Sequence, residues 1–323
     1  MGLVSVAVLI VLVASPSLLG ERVEEGISGL GEATPAWLWA AAACFLVMHA
    51  CTGVAWSVAL RACGTATDHG DAVARYGVGS ALNAFGPMRC GSAARLVLFA
   101  RLVGREGSLW TVGGASAAVG AVRTIWFSLL VAGAAIAGVV PAWPLVACVG
   151  SLAVAVAAVV ASRRRRFRAR FAHILDAFAA FGRCPRTVLT VGVLTLASIT
   201  AKICAAAAIA SALGVERPIL IALVIIPAVE LAGALPITPG NAGLTSAAVA
   251  FAVGMQGVDS TLSLSVGIAF GAVDLLAAAG IGAAGALLLA GPVFRPAIRF
   301  AAVGAGSAAL ATAFAVTVVL PVA

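Results

Sequence analysis

The sequence predicts an all-α, polytopic membrane protein with about seven spanning helices plus two broken, re-entrant helical hairpins. Three observations carry this expectation. Of the 323 residues, 63% are hydrophobic and only 10% are charged, against roughly 25% charge in an ordinary soluble domain. Apolar runs of about 18 residues or more recur from end to end, each long enough to cross roughly 30 Å of hydrocarbon. Two runs are interrupted by proline and glycine at corresponding places. The runs are continuous rather than alternating in polarity, which excludes a β-barrel.

Taken in order, the first run covers 3–19. It has no basic flank and no small-residue cleavage site before the acidic stretch Glu21–Glu32, so it reads as a retained helix, not a signal peptide. The next runs are 36–60, a broken 76–103, 109–138 and 143–161. After a polar loop come 187–212, a broken 219–256, 259–290 and 300–320. We expect one integral membrane domain over 1–323, with 1–140 as a first repeat half, 141–290 as a second, and 291–323 as an extra C-terminal helix.

Eight of the 20 lysines and arginines fall between Arg163 and Arg186. Clustering of this kind is a topology signal or an anionic-lipid contact, and the net charge of +8 is therefore not read as nucleic-acid binding. It makes loop 162–186 cytoplasmic, and counting outward from it leaves the N-terminus cytoplasmic and the C-terminus external, in a bacterial plasma membrane. Trp37, Trp39, Trp110 and Trp143 then fall at span ends, where an aromatic belt belongs. The seven cysteines show no CxxC and no metal-ligand spacing, so neither metal nor cofactor is expected. No nucleophile elbow, zinc-protease, P-loop or dinucleotide motif is present, and no catalytic residue is assigned.

The breaks are the most informative features. One reads Asn83-Ala84-Phe85-Gly86-Pro87-Met88-Arg89-Cys90-Gly91, the other Leu235-Pro236-Ile237-Thr238-Pro239-Gly240-Asn241-Ala242-Gly243. Proline removes an amide donor and glycine tolerates turning backbone. Non-helical backbone survives at membrane depth only inside protein or beside a watery cavity. A shift of 152 residues lays Pro87 on Pro239, Gly91 on Gly243, Phe99 on Phe251 and Ser108 on Ser260. With the loop sides above, the halves form an inverted repeat, and paired broken segments point to a transport site near the midplane.

His49, Arg89, Arg95, Arg123, Lys202, Glu230 and Asp274 lie within apolar runs. A charge at the bilayer centre costs at least ~2.5–3.5 kcal/mol, so such groups face a cavity or one another. Arg123–Asp274 and Lys202–Glu230 are the expected ion pairs. Arg95 has two readings, as a snorkelling side chain near the cytoplasmic face and as a head-group ligand. His49 reads as a packed histidine. Basic groups outnumber the acids, and arginine offers a planar fork suited to phosphate oxygens. An anionic head group is the natural guest.

The elements Asn83…Gly86-Pro87…Arg89…Gly91…Arg95 and Pro236…Thr238-Pro239-Gly240…Gly243 resemble those of the membrane-embedded, flippase-like half of bacterial lysyl-phosphatidylglycerol synthases and their stand-alone relatives. Arg123 matches an arginine that this family carries in the following helix. Asn241 stands where the second glycine is expected and Ser246 where the family has glutamate. No arginine occurs in 259–290, where many relatives have one. The resemblance implies a lipid translocase without the soluble aminoacyl-transfer domain. It would carry an anionic phospholipid or a lipid-linked sugar, with Asn83, Pro87, Arg89, Arg95, Arg123, Lys202, Pro239, Gly240 and Asn241 around the substrate. Glu230 and Asp274 would serve as coupling or ion-pair residues. Two other readings stand beside it: an integral-membrane lipid-linked transferase, and a scaffold docking an envelope-lipid biosynthetic enzyme.

Overall fold

The structure, a computed structural model, describes residues 29–85, 90–104, 107–136, 138, 150, 174, 176–234 and 242–290. Runs 3–19 and 300–320, run 143–161 apart from Gly150, the arginine cluster at 163–170, and Pro87, Arg89, Pro239, Gly240 and Asn241 lie outside the described residues.

The described residues are helical and contain no strand. A 3-10 turn, Gly29–Glu32, precedes α1 (Pro35–Ala62), α2 (His69–Phe85), α3 (Cys90–Val103) and α4 (Ser108–Ile136). A helical stretch at 176–183 leads into α5 (Pro185–Ala212), followed by α6 (Pro218–Ala234), α7 (Ala242–Gly254) and α8 (Ser260–Leu289). Four helices, α1, α4, α5 and α8, are long and apolar enough to cross a membrane. At 28 to 30 residues and 1.5 Å per residue, each extends about 42–45 Å. Their outward faces carry large apolar side chains such as Ile125, Leu129, Leu189 and Val193, all exposed in the bare protein. That is how a helix meets lipid rather than water.

Each broken run is a pair of short helices, α2 with α3 and α6 with α7, packed against each other. With 13 to 17 residues apiece, none exceeds about 25 Å, short of the roughly 30 Å hydrocarbon core. Glycine closes the first hairpin. A side chain at Gly91 would collide with the Gly79 carbonyl and the Asn83 backbone. Arg75 ties the hairpin further, bonding Asp71 within its own helix at 3.1 Å and the Leu98 carbonyl of α3 at 2.8 Å.

The loops supply the start signals. Asp68 accepts from the Asp71 and Gly70 amides ahead of α2, and Asp259 accepts from the Thr261 and Leu262 amides to cap α8. Those bonds satisfy orphan N–H groups of the first turn and hold both carboxyls below the usual aspartate range.

The described helix lengths recur in order. The series 28, 17, 14, 29 for α1–α4 returns as 28, 17, 13, 30 for α5–α8. Corresponding helices start 149 to 152 residues apart (35 and 185, 69 and 218, 90 and 242, 108 and 260). The counterparts α1 and α5 lie side by side and antiparallel. The Thr34 amide at the head of α1 donates to Ala212 at the tail of α5, and further along Thr52 Oγ1 meets Ser198 Oγ at 2.9 Å.

Two apolar clusters hold the bundle. One gathers Leu38, Phe45, Ile209, Ile225, Val249 and Phe270, with Phe45 and Phe270 edge to face at 5.3 Å. The other gathers Trp56, Leu60, Tyr76, Phe99, Val112 and Val191, with Trp56 and Phe99 at 5.0 Å. Helix α1 contributes to both, Leu38 and Phe45 to the first and Trp56 and Leu60 to the second, and His49 falls between the two sets. This positions a polar site between the cores.

Candidate functional site

A cavity of about 490 Å³ opens there, lined from α2 by Tyr76 and Asn83, from α3 by Arg95, and from α5 and α6 by Lys202 and Glu230. His49 from α1 and Asp274 from α8 also face it. The level is central. His49 is the fifteenth of 28 residues in α1, Asp274 the fifteenth of 30 in α8, and Arg123 the sixteenth of 29 in α4. A spanning helix places such residues near mid-membrane.

Glu230 is the hub. Its Oε1 accepts from Arg123 Nη2 at 2.6 Å and from Lys202 Nζ at 2.8 Å. One carboxylate on α6 therefore joins α4 and α5, whose cations would otherwise stand uncompensated in a low-dielectric region. The expected Lys202–Glu230 pair is present. The expected Arg123–Asp274 pair is not: Arg123 reaches Glu230, and Asp274 faces His49 Nε2 at 4.0 Å. The 152-residue shift sets Arg123 beside Asp274 in sequence register, but register is only half the geometry. Which way a side chain points around its helix is decided by packing, and Arg123 points at α6.

Arg95 does not run out to an aqueous face. Its guanidinium lies 4.1 Å above the Tyr76 ring, and it lines the cavity. This corrects the snorkelling reading. The aromatic face attracts the cation and fixes its plane. No carboxylate pairs with Arg95 among the described residues, and its Nε is buried without a hydrogen-bond partner there. The Asn83 Oδ1 and both ring nitrogens of His49 are likewise buried and without partners among the described residues. Buried polar groups are nearly always bonded to protein, water or ligand. His49, Asn83 and Arg95 all line one cavity, whereas the fifth such atom, Ser128 Oγ on α4, lies outside its lining.

Tyr76 was not singled out from the sequence, although it is the chain's one tyrosine. His49 belongs to the cavity wall and is not merely packed. No cluster of three metal-ligating side chains occurs among the described residues.

The family model for the lysylphosphatidylglycerol synthase transmembrane region matches residues 2–276. The chain belongs to that family. The match covers both four-helix series apart from the last part of α8, and so includes every cavity residue named above. Membership and the apolar spans together establish a multi-pass membrane protein of a lipid-related family. No curated protein and no solved structure matches the chain.

Proposed function

We propose that this protein is a lipid translocase, moving an anionic phospholipid or lipid-linked glycan between leaflets through the basic central cavity. The observation that carries the reading is a mid-membrane cavity holding an arginine with no acidic partner among the described residues. In a lipid-related membrane family, a phosphate is the fitting occupant. Arg95 would present its fork to phosphate oxygens, and the idle Asn83 Oδ1 would accept from a hydroxyl of a glycerol or sugar head group. A volume of about 490 Å³ lies within the roughly 300–1,000 Å³ of small-molecule sites. It suits a head group while the acyl chains stay in lipid.

The matched helix lengths and the antiparallel α1–α5 pair support an inverted repeat, the architecture in which one half rocks against the other around a fixed midplane site. The protein is proposed to sit in a bacterial plasma membrane with loop 162–186 cytoplasmic. In this reading it carries lipid without making or breaking a bond. Lys202 and Arg123 are held by Glu230 in this state and become available to phosphate when that contact opens.

Native mass spectrometry of the protein in mild detergent tests the reading. Wild type should retain one anionic lipid class selectively, and Arg95→Ala should lose it while remaining folded. Equal retention of bulk lipid by both proteins would count against a head-group site and favour a scaffold role.

A further inference from the structure

Asp274 differs from Glu230 in one respect: among the described residues no lysine or arginine pairs with it. Among the described residues the one basic side chain within 4.0 Å of it is His49, whose Nε2 stands 4.0 Å from Oδ1. That exceeds a hydrogen bond. An uncompensated carboxylate near mid-membrane is costly, and so is a buried imidazole with two idle nitrogens. A single proton answers both. Placed on Asp274 it removes the charge and supplies a donor for the ring, and placed on His49 Nε2 it creates an imidazolium facing the carboxylate. Either way the pair passes from −1 to 0 on taking one proton from the aqueous cavity, and returns to −1 on releasing it. A metal cation is a poorer fit, since one carboxylate and one imidazole are too few ligands and no group of three gathers among the described residues.

We propose that Asp274 and His49 form a proton-binding site that couples lipid movement to the proton gradient, a reading that rests on the translocase function proposed above. The two side chains come from different four-helix series, so their separation changes if those halves move against each other. The groups facing them are Tyr76 from α2, 6.2 Å from His49 between ring centroids, Arg95 from α3, Arg123 from α4, Lys202 from α5 and Glu230 from α6. From α7 the neutral Thr245 lines the same cavity. Three cations and one further carboxylate thus surround the pair. An anionic phosphate settling on those cations cancels part of their field, and the pair then holds its proton more tightly. Linkage makes the effect reciprocal, so a bound proton strengthens phosphate binding by the same factor. Proton and lipid anion therefore cross together, and lipid accumulates in the leaflet on the alkaline side.

The test uses the full chain in liposomes with a fluorescent phosphatidylglycerol as probe, and reads its leaflet distribution under an imposed pH difference. Wild type should shift the probe several-fold toward the alkaline side, reversing when the gradient is reversed. Asp274→Asn should show no such shift at whatever rate of exchange it retains, and His49→Gln should weaken it. A wild-type distribution indifferent to the gradient, a shift toward the acidic side, or an unaltered shift in Asp274→Asn would overturn the coupling while leaving translocation standing. If no protein moves the probe under any condition, the translocase reading fails. The proton site is then decided by infrared spectra of the detergent-solubilised protein on acid titration. A protonated-carboxyl signal lost in Asp274→Asn and displaced in His49→Gln supports it; no difference between wild type and Asp274→Asn overturns it.

Discussion

Glu230→Ala is expected to destabilise the folded protein by about 3 kcal/mol and to stop lipid movement. The magnitude follows from what the substitution leaves behind. Arg123 and Lys202 lose their common acceptor, bonded at 2.6 and 2.8 Å, and two cations face each other in a membrane interior. Removing one partner of a buried pair costs about 3–5 kcal/mol. The lower end applies because Glu230 keeps about a quarter of its side chain, 27%, open to the cavity in the bare protein. Thermal unfolding in detergent measures the effect. The Arg123→Met/Glu230→Ala double variant should recover part of the loss, since one stranded charge goes with its partner. Strict additivity of the two single changes would mean that the contact contributes nothing. The functional loss has a separate origin: with no internal anion to hold them, α4, α5 and α6 lose the contact that sets one state of the cavity.

Gly285→Leu is expected to have the largest effect on folded yield, because it strikes the seam between α2 and α8. A Cβ at Gly77 on α2 would sit 2.6 Å from the Ile281 carbonyl oxygen of α8. Side chains at Gly282 and Gly285 would run into Ala81 and the Ala74 carbonyl of α2. Small residues at three- and four-residue spacing let helix backbones approach in this way within membranes. Since the obstacle at Gly285 is backbone, it has no rotamer with which to yield, and overpacking of this kind costs at least ~1–3 kcal/mol. The seam also positions the site, because α2 carries Tyr76 and Asn83 while α8 carries Asp274. The recovered monodisperse fraction after detergent extraction should fall severalfold, and Gly133→Leu is the control. Gly133 lies on α4 with open space at its Cβ position, and its substitution should leave the yield near that of wild type. An equal loss in both variants would show that the seam is not the cause.

Much of this architecture was legible in the sequence because membranes simplify the code. Uniform apolar runs announce spans, and paired Pro-Gly interruptions announce broken segments, since hydrocarbon tolerates neither exposed amides nor long loops. The 152-residue shift anticipated helix lengths that pair within one residue. The breaks themselves, with Pro87, Arg89, Pro239, Gly240 and Asn241, lie outside the described residues. The wiring of the charges was less legible. Glu230 finds Arg123 across 107 residues, and nothing local to α4 distinguishes it from Asp274 as partner. Helical rise gives the height of a side chain, whereas its direction depends on how eight helices settle against one another. Arg95 shows the same limit. Its distance from the helix end permits snorkelling, but the aromatic face of Tyr76 captures it, and that contact exists only after α2 and α3 close into a hairpin.

The most direct measurement is the rate at which the purified chain, reconstituted in liposomes, moves a fluorescent phosphatidylglycerol between leaflets, beside Arg95→Ala. The account predicts exchange well above that of protein-free vesicles for wild type, and a loss of at least about tenfold, equivalent to ~1.4 kcal/mol, for a variant that still folds. Wild-type exchange no faster than in empty vesicles, or an Arg95→Ala rate equal to wild type, would contradict it.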